Sequence, residues 1–167
     1  MRTEIRPARK GDLGRVCELY QQARRFMRAH GNTMQWTGDY PGMASAEADL
    51  EAGALWVLEA GGEPVAVASV MPGPEPTYAS IDGAWVDDGP YWVLHRLASG
   101  ESGKGYGRRL MEWFGSGHRS CRVDTANQNL PMRGLVESCG FVRCGIVIVE
   151  DGTPRIAYQR VNRGLDD

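Results

Sequence analysis

The sequence predicts one mixed α/β domain, and three observations support this: its length, its composition and the order of its predicted elements. The chain has 167 residues, of which 42% are hydrophobic and 24% are charged. Such values are typical of a single globular domain with one sizeable core. Helical and strand patterns alternate along the chain, with no linker, internal repeat or low-complexity segment between them. We therefore expect residues 1–167 to form a single domain of the α+β type.

The N-terminal half predicts a strand, two helices and a β-hairpin. RTEIRP at residues 2–7 is a short strand candidate, and Asp12 can cap a helix whose apolar residues follow at helical spacing. Gly31 favours the end of that helix, because glycine readily adopts the positive φ of a C-cap. Ser45 can cap a second, short helix that stops at Gly53. ALWVLEA and PVAVASVM, joined by Gly-Gly-Glu, then predict a hairpin.

The C-terminal half predicts a long excursion followed by alternating strands and helices. Residues 72–90 are rich in Pro, Gly and Asp, and the strand YWVLHRLAS follows at 91–99. After a glycine-rich loop, a helix is predicted over 107–113 and the strand CRVDTAN over 121–127. LPMRGLVESCG at 130–140 predicts a helix with proline in its first turn. FVRCGIVIVE and PRIAYQRV, joined by Glu-Asp-Gly-Thr, predict a final hairpin.

Composition excludes several classes of function. The net charge of -2 argues against a nucleic-acid binder that works by bulk charge. The chain has no apolar stretch long enough to span a bilayer, and MRTEIRPARKGDL lacks the apolar run of a signal peptide. The four cysteines form no C-x-x-C pair and lie at no ligand spacing with the three histidines. We expect a cytoplasmic protein with reduced thiols, and no metal, nucleic-acid or membrane partner.

The segment SGESGKGYGRR, residues 99–109, has the glycine content of a phosphate-binding loop, and three such loops can be compared with it. A nucleotide P-loop would put its first glycine on Ala98 and its metal-binding hydroxyl on Gly105, so both positions fail. The dinucleotide fingerprint would put its third glycine on Arg108 or Leu110, and it fails as well.

The third type of loop needs only a strand, a turn that exposes backbone N–H groups, and a helix N-terminus. Gly103, Gly105 and Gly107 would let the backbone fold tightly around an anion, and Lys104 and Arg108 add positive charge. A cluster of bases at a helix N-terminus, where acids are usually preferred, suits an anionic partner; surface charge is the alternative interpretation. The pattern predicts a pyrophosphate cradle without a metal site.

Here the sequence resembles the GNAT family of acetyl-CoA-dependent N-acetyltransferases. The family pattern [QR]-x-x-G-x-[GA] is matched from Gly103 to Gly107, apart from the first position, where Ser102 stands. IRPARKGDL is similar to the family's opening strand and helix, and Asn129 begins a segment similar to its N-x-x-[AM]-x-x-L-x-E-x-x-G-F motif. GN-x-x-QW-x-x-x-YP, HRLAS, D-T-x-x-x-N-x-P-M and CGI-x-x-x-EDGT-x-R-x-AY resemble a bacterial subgroup whose substrates are mostly unassigned.

The resemblance implies a single-domain GNAT-like fold: a mixed central sheet flanked by about four helices. The fourth and fifth predicted strands, 91–99 and 121–127, would splay into a V that holds acetyl-CoA. A homodimer is common for this fold. The implied binding residues for this cosubstrate are Leu97, Ser99, Ser102, Gly103, Lys104, Gly105, Tyr106, Gly107, Arg108, Asn129 and Met132.

The chemistry implied is direct attack of a neutral amine on the thioester, with a backbone N–H stabilising the oxyanion. Many family members place a tyrosine acid where this chain has Val136, so the acid is water, Ser138, Cys139 or Tyr158. For the base we name His95, which strand alternation places on the face of Leu97 and Ser99. The alternative bases are Tyr91 and an acid of the long loop, and His95 can equally be a core histidine.

The acceptor is expected to be a small amine or an amino-acid-like molecule. Trp36, Tyr40, Trp85 and Tyr91 lie in the two aromatic loops that border the acceptor pocket in the resembled fold, and these loops also contain several acids. Aromatic faces and carboxylates together suit a cationic amine, although core packing can account for some of these rings. Two other functions remain: a non-catalytic acyl-CoA-binding module on the same fold, and a nucleotide-phosphate enzyme.

Overall fold

The computed structural model describes residues 2–100 and 103–166, which form an α/β fold with four α-helices and a mixed sheet of eight strands. The helices are α1 (Leu13–Ala29), α2 (Met43–Glu51), α3 (Tyr106–Ser116) and α4 (Leu130–Ser138). The strands are β1 (Thr3–Pro7), β2 (Leu55–Ala60), β3 (Glu63–Pro72), β4 (Asp82–Gly83), β5 (Trp92–Ser99), β6 (Ser120–Thr125), β7 (Val142–Ile148) and β8 (Pro154–Val161). The strand order is β1-β2-β3-β5-β6-β8-β7-β4. The predicted fold class is confirmed.

The chain divides into two compact units, which are described separately below. The first unit comprises Met1–Val70 and His95–Leu110, and the second comprises Met71–Leu94 and Met111–Asp167. Strand β5 and helix α3 each contribute residues to both units.

In the first unit, β1, β2 and β3 form an antiparallel meander whose inner face packs on α1 and α2. Thr3 pairs with Ala60 across β1 and β2, and Leu55 pairs with Ser69 across the predicted hairpin. The core contains apolar residues from α1, α2, β2, β3 and β5, together with Ala8 just after β1: Ala8, Leu13, Val16, Leu19, Tyr20, Ala46, Leu55, Val57, Val67 and Ala98. The residues predicted at helical spacing in α1 therefore do form its buried face.

Helix α1 begins at the predicted position, but the side chain of the residue before it, Asp12, does not cap the helix. Asp12 is the N-cap residue and makes no side-chain hydrogen bond to the first turn of α1. Its carboxylate instead accepts hydrogen bonds from Nη1 and Nη2 of Arg6, at 2.8 and 3.0 Å, and one from the backbone N–H of Arg9. Arg6 also donates to Glu59 on β2. This buried ion cluster ties the start of α1 to the sheet of the first unit.

The predicted end of α1 is confirmed, and the predicted start of α2 is three residues late. Gly31 has φ of 83°, and the N–H of Asn32 donates to the carbonyl of Met27 at 2.8 Å, which closes the helix in a Schellman arrangement. Helix α2 begins at Met43 after Gly42, so Ser45 lies within its first turn and is not its cap.

The second unit is built on the antiparallel strands β6, β8 and β7. Val123 of β6 pairs with Tyr158 of β8, and the final hairpin is closed by the predicted Glu-Asp-Gly-Thr turn. The first residues of β5 pair with β6 in parallel, Trp92 with Cys121 and Val93 with Arg122. The long excursion adds the short strand β4, which the sequence did not predict and which pairs with β7. A core of Tyr78, Val93, Val147 and Ala157 lies beneath this excursion.

Within residues 2–100 and 103–166, no helix combines the length and the apolar character that crossing a membrane requires.

The first prediction concerns the cluster around Asp12. Hydrogen bonds from Arg6 lower the pKa of the Asp12 carboxyl below its usual range, so its stabilising effect is present above the unfolded-state pKa and is lost as the pH falls through the folded-state value. Asp12→Asn should lower the free energy of unfolding by about 2 kcal/mol at pH 7. The difference from wild type should shrink below about pH 4. Urea unfolding at pH 7 and pH 3 measures both quantities.

The matched control is Asp88→Asn, because Asp88 is an exposed carboxylate in the second unit. Its unfolding free energy should stay within about 0.5 kcal/mol of wild type at both pH values. A loss for Asp12→Asn that is equally large at pH 3 would show that the cluster does not act through ionised Asp12.

Candidate functional site

The glycine-rich loop connects β5 to α3 in the first unit, and two of its glycines adopt positive φ. Gly103 has φ of 82° and Gly105 has φ of 74°, both in the left-handed region. These two residues and Lys104 are exposed, and a Cβ at either glycine would meet no atom within 4 Å. The backbone of this loop therefore faces open space. Ser102 lies outside the described residues.

Helix α3 begins at Tyr106, one residue before its predicted start, and its first hydrogen bond runs from the N–H of Arg109 to the carbonyl of Gly105 at 3.0 Å. Tyr106 is partly buried and Gly107 is buried. Arg108 is exposed next to this helix start, and the Arg109 guanidinium, also exposed, donates to the hydroxyl of Thr3. The start of α3, with cations beside it, is the place where the sequence predicts an anion cradle. That role stays a prediction.

Gly100 is a residue of this loop that the sequence analysis missed. Its N–H donates to the carbonyl of Val65 on β3 at 3.0 Å, so the loop remains tied to the sheet of the first unit just beyond Ser99. A Cβ at Gly100 would lie 2.9 Å from Oε1 of Gln22 and 3.0 Å from Cδ2 of Leu19, both on α1. Only glycine therefore allows this close approach without displacing α1 side chains. No local pattern marks such a contact between distant parts of the chain.

Strand β5 is interrupted by a left-handed residue. Arg96 has φ of 53°, in the left-handed region that non-glycine residues rarely adopt. Its Nε and Nη2 donate to the two carboxylate oxygens of Asp49 on α2, at 3.0 and 2.7 Å. Burial disfavours the charged form, but the hydrogen bonds and the charge of Asp49 outweigh this effect and raise the pKa of Arg96. Arg96 is therefore held in an ion pair with Asp49.

The left-handed conformation of Arg96 bears on His95, which was placed on the face of Leu97 and Ser99 by assuming regular strand alternation. Two-residue alternation requires extended backbone, and Arg96 lies between His95 and Leu97. The burial along β5 accordingly shows no period of two: His95 is partly buried, Leu97 is buried and Ser99 is partly buried. The parity prediction was wrong for this physical reason, and the role of His95 itself stays a prediction.

Two predicted acceptor residues lie in the loop between α1 and α2. The hydroxyl of Tyr40 accepts a hydrogen bond from Nη1 of Arg96 at 3.2 Å, although its ring is largely exposed. Trp36 packs edge-on against the buried ring of Tyr20, with ring centroids 6.0 Å apart, and contributes to the core of the first unit. Tyr40 is thus accessible and Trp36 is partly a core residue.

Helix α4 in the second unit places the remaining predicted cosubstrate residues. The side chain of Asn129 caps the helix, because its Oδ1 accepts a hydrogen bond from the N–H of Met132 at 3.3 Å. Asn129 is buried and Met132 is partly buried. Val136, where many family members carry the acid, is only 1% exposed and packs inside this unit.

Tyr158 lies on β8, and its hydroxyl donates to Oε2 of Glu137 at 3.2 Å. The tyrosine is 1% exposed. Burial is the main cause that raises the pKa of Tyr158, with a further contribution from the charge of Glu137 and an opposing one from Arg133. A phenol with a raised pKa remains protonated at neutral pH, as a general acid must be.

The long excursion of the second unit holds a cluster that the sequence did not predict. Trp85 donates from its indole N–H to the carbonyl of Tyr78 at 3.1 Å, and the hydroxyl of Tyr91 accepts from the N–H of Glu75 at 2.8 Å. Both rings contact Arg122 on β6, whose guanidinium carbon lies 4.0 and 3.9 Å from their centroids. Each ring therefore already makes a cation–π contact with a residue of the chain.

Asp124 is a further residue of interest that the sequence analysis passed over. It lies on β6, partly buried, and its Oδ2 accepts a hydrogen bond from the hydroxyl of Tyr78 at 2.6 Å. The available signal was a carboxylate inside the predicted strand CRVDTAN. The partner Tyr78 is distant in sequence, so the pair could not be read from spacing.

The cysteines and the groups that could bind a metal ion can be located in the two units. All four cysteines are free, and Cys121 and Cys139 are buried as core residues. Across residues 2–100 and 103–166, the histidines, cysteines and acids form no group of three that could hold a metal ion.

Comparison with known proteins gives one family. A family model described as Acetyltransferase (GNAT) family matches residues 15–141. The solved structure of a GNAT-family acetyltransferase from Streptococcus agalactiae is 29% identical, with a TM-score of 0.85 and 96% of each chain covered. One from Listeria monocytogenes is 18% identical, with a TM-score of 0.70, and covers 96% of this chain and 95% of its own.

A third similar structure contains ligands. It is AAC(6')-Ib in complex with paromomycin and acetyl-CoA, 21% identical, with a TM-score of 0.66 and coverage of 100% of this chain and 99% of that one. At this identity the likeness shows the fold alone. A search of curated protein sequences gave no match.

The second prediction concerns the pair of Arg96 and Asp49. Removing one partner of a buried ion pair leaves the other charge buried and uncompensated, so Asp49→Asn should lower the free energy of unfolding by about 3 kcal/mol. Equilibrium urea unfolding checks this value. Glu47→Gln, which alters an exposed carboxylate on the same helix, should change it by less than about 0.5 kcal/mol. Equal effects of the two substitutions would contradict the role given to Asp49.

Proposed function

Because the chain belongs to the GNAT acetyltransferase family, we propose that it is an acetyl-CoA-dependent N-acetyltransferase acting on a primary amine of a small molecule. The observation that carries the proposal is the exposed backbone of Gly103 and Gly105 at the start of α3. Main-chain N–H groups at a helix N-terminus bind a pyrophosphate without a metal ion. Acetyl-CoA supplies both that pyrophosphate and the acetyl group.

The remaining cosubstrate contacts are proposed for the backbone and side chains that the family resemblance implies. Lys104 and Arg108 provide positive charge beside the pyrophosphate. The backbone of Leu97 and Ser99 would pair with the pantetheine arm as an added strand. Met132 and Asn129 at the start of α4 complete the set, and Oδ1 of Asn129 also accepts the helix-capping hydrogen bond from the N–H of Met132.

The reaction proposed is direct transfer in a ternary complex. The amine, after giving a proton to a base, attacks the thioester carbonyl, and a backbone N–H of β5 stabilises the oxyanion. The carbon–sulfur bond then breaks and the coenzyme A thiolate takes a proton from the acid. The nitrogen gives up its second proton, which restores the acid and leaves the amide and free coenzyme A. We assign the base to His95 and the acid to Tyr158. Burial raises the pKa of Tyr158, so its phenol is protonated at neutral pH, which the proposed role of acid requires.

A small-molecule acceptor is supported by the structural neighbour solved with an aminoglycoside. The predicted acceptor residues Trp36, Tyr40, Trp85 and Tyr91 remain proposals, as do the cytoplasmic location, the homodimer and the single domain over residues 1–167.

One observation favours a second candidate, a non-catalytic acyl-CoA-binding module on the same fold. Val136 is buried where many family members carry the acid. Such a module would bind acetyl-CoA and transfer nothing.

Initial-rate kinetics distinguish the two candidates. Release of coenzyme A thiol is followed while acetyl-CoA and one of a panel of amines are varied together. A ternary-complex transferase gives release that requires both substrates, with intersecting double-reciprocal lines, whereas a covalent acetyl-enzyme would give parallel lines. Binding of coenzyme A without thiol release for any amine would support the non-catalytic module.

The third prediction tests the loop through Gly105. Alanine at φ of 74° is strained by about 1 kcal/mol or more, so Gly105→Ala should distort the cradle. We expect the KM for acetyl-CoA to rise about tenfold, while the KM for the amine stays within about twofold. The control is Gly14→Ala on α1, where φ is ordinary and a Cβ meets no atom within 4 Å. An equal rise in both KM values would contradict the assignment of the loop to the cosubstrate.

A further inference from the structure

Arg122 in the second unit is a buried cation with a fixed plane. Its guanidinium contacts the rings of Trp85 and Tyr91 at 4.0 and 3.9 Å, and the residue is 4% exposed. Stacking on aromatic rings restrains the plane of a guanidinium and leaves its edges for hydrogen bonds. Arg122 is therefore held in one orientation by residues that the excursion brings to β6.

Within residues 2–100 and 103–166, Arg122 has no carboxylate partner. Its Nη2 donates to the backbone carbonyl of Asp87 at 2.8 Å, its Nε is buried without an acceptor, and its Nη1 donates to none of the described residues. The Asp87 carboxylate binds elsewhere: to Nη1 of Arg119 at 3.4 Å and to Nε2 of Gln159 at 3.3 Å. Because a buried charge is normally paired, an unmatched guanidinium edge favours an anionic ligand.

Asp124 presents the opposite charge on the same strand. It lies two residues after Arg122 on β6, whose pairing with β8 shows no bulge, so both side chains project from one face. The hydroxyl of Tyr78 donates to Oδ2 of Asp124 at 2.6 Å, while Oδ1 accepts from none of the described residues. Burial, above all, keeps the pKa of Tyr78 well above its usual value, so the phenol stays a donor and fixes the carboxylate.

The two charges do not neutralise each other. Among the described residues, no nitrogen of Arg122 lies within 4 Å of an Asp124 oxygen. Their Cα atoms are about 7 Å apart, as expected two residues along a strand. A small molecule that carries both an ammonium and a carboxylate can contact one group with each end.

We propose that the acceptor amine is an amino-acid-type molecule, whose carboxylate binds the free edge of Arg122 and whose ammonium binds Oδ1 of Asp124. This inference rests on the proposed function and names the substrate class for it. Trp85 and Tyr91 then act on the substrate through Arg122, and the group transfer itself is the one described above.

Matched acceptors test the inference. Coenzyme A release from acetyl-CoA is measured with amino acids of apolar, aromatic, acidic and basic side chains, each compared with its carboxamide and its decarboxylated amine. The wild-type kcat/KM for at least one amino acid should exceed that for its carboxamide by more than about tenfold, because the carboxamide cannot form the charge-assisted pair with Arg122.

Two substitutions should separate the two charges. Arg122→Met keeps an apolar chain between the rings, and should reduce the preference for the carboxylate over the carboxamide to about onefold, because it removes the cation that distinguishes the two. Asp124→Asn should lower kcat/KM about tenfold for amino acid and carboxamide alike, and leave the preference intact. The control is Arg119→Met, which alters a more exposed guanidinium of the same unit and should change neither value.

Thermal unfolding establishes that each variant is folded. If Arg122→Met does not fold, Arg122→Lys replaces it. Arg122→Lys keeps the charge, so this variant should retain part of the preference for the carboxylate. Two results overturn the inference and leave the proposed function standing. One is a wild-type preference for the amino acid over its carboxamide of onefold or less, and the other is a preference that survives Arg122→Met. Absence of transfer to every amine, with or without a carboxylate, overturns the proposed function and this inference together.

Discussion

The left-handed backbone at Arg96 and the ion pair that compensates it determine the course of β5. A non-glycine residue at φ of 53° is strained by about 1 kcal/mol or more, and the pair with Asp49 supplies two hydrogen bonds between charged groups in a largely buried position. The residue interrupts the regular alternation of the strand between His95 and Leu97. Leu97 and Ser99, which are proposed to contact the cosubstrate, come directly after it in the chain.

The second unit contains the reverse arrangement. Arg96 has a carboxylate matched to both nitrogens, whereas the edge of Arg122 has only a backbone carbonyl among the described residues. The chain thus satisfies the partly buried guanidinium of Arg96 internally, whereas aromatic stacking orients the buried guanidinium of Arg122 without neutralising it. This difference between the two arginines separates a structural ion pair from a candidate binding group.

Elements with strong local patterns could be predicted from the sequence: the apolar stripe of α1, both hairpins, and the glycine-rich loop before α3. Local spacing was enough to predict these elements, because the residues that define each of them lie within a few positions of each other. Pairs such as Arg96 with Asp49, Tyr78 with Asp124, and Arg122 with Trp85 join residues far apart in sequence. No periodicity marks these pairs. The sequence therefore predicted a cationic substrate at Trp85 and Tyr91, but not Arg122, which is the cation that their rings contact.

The measurement that tests the central claim most directly is thermal unfolding of the purified protein with acetyl-CoA, coenzyme A and Mg-ATP in parallel. A ligand that binds only the folded state raises its stability by about 2.7 kcal/mol at a hundredfold excess over Kd. The account predicts a higher midpoint with acetyl-CoA and with coenzyme A, and no rise with Mg-ATP. Unchanged midpoints with both coenzyme A species would contradict it, because the loop at Gly103 and Gly105 would then be only a tight turn.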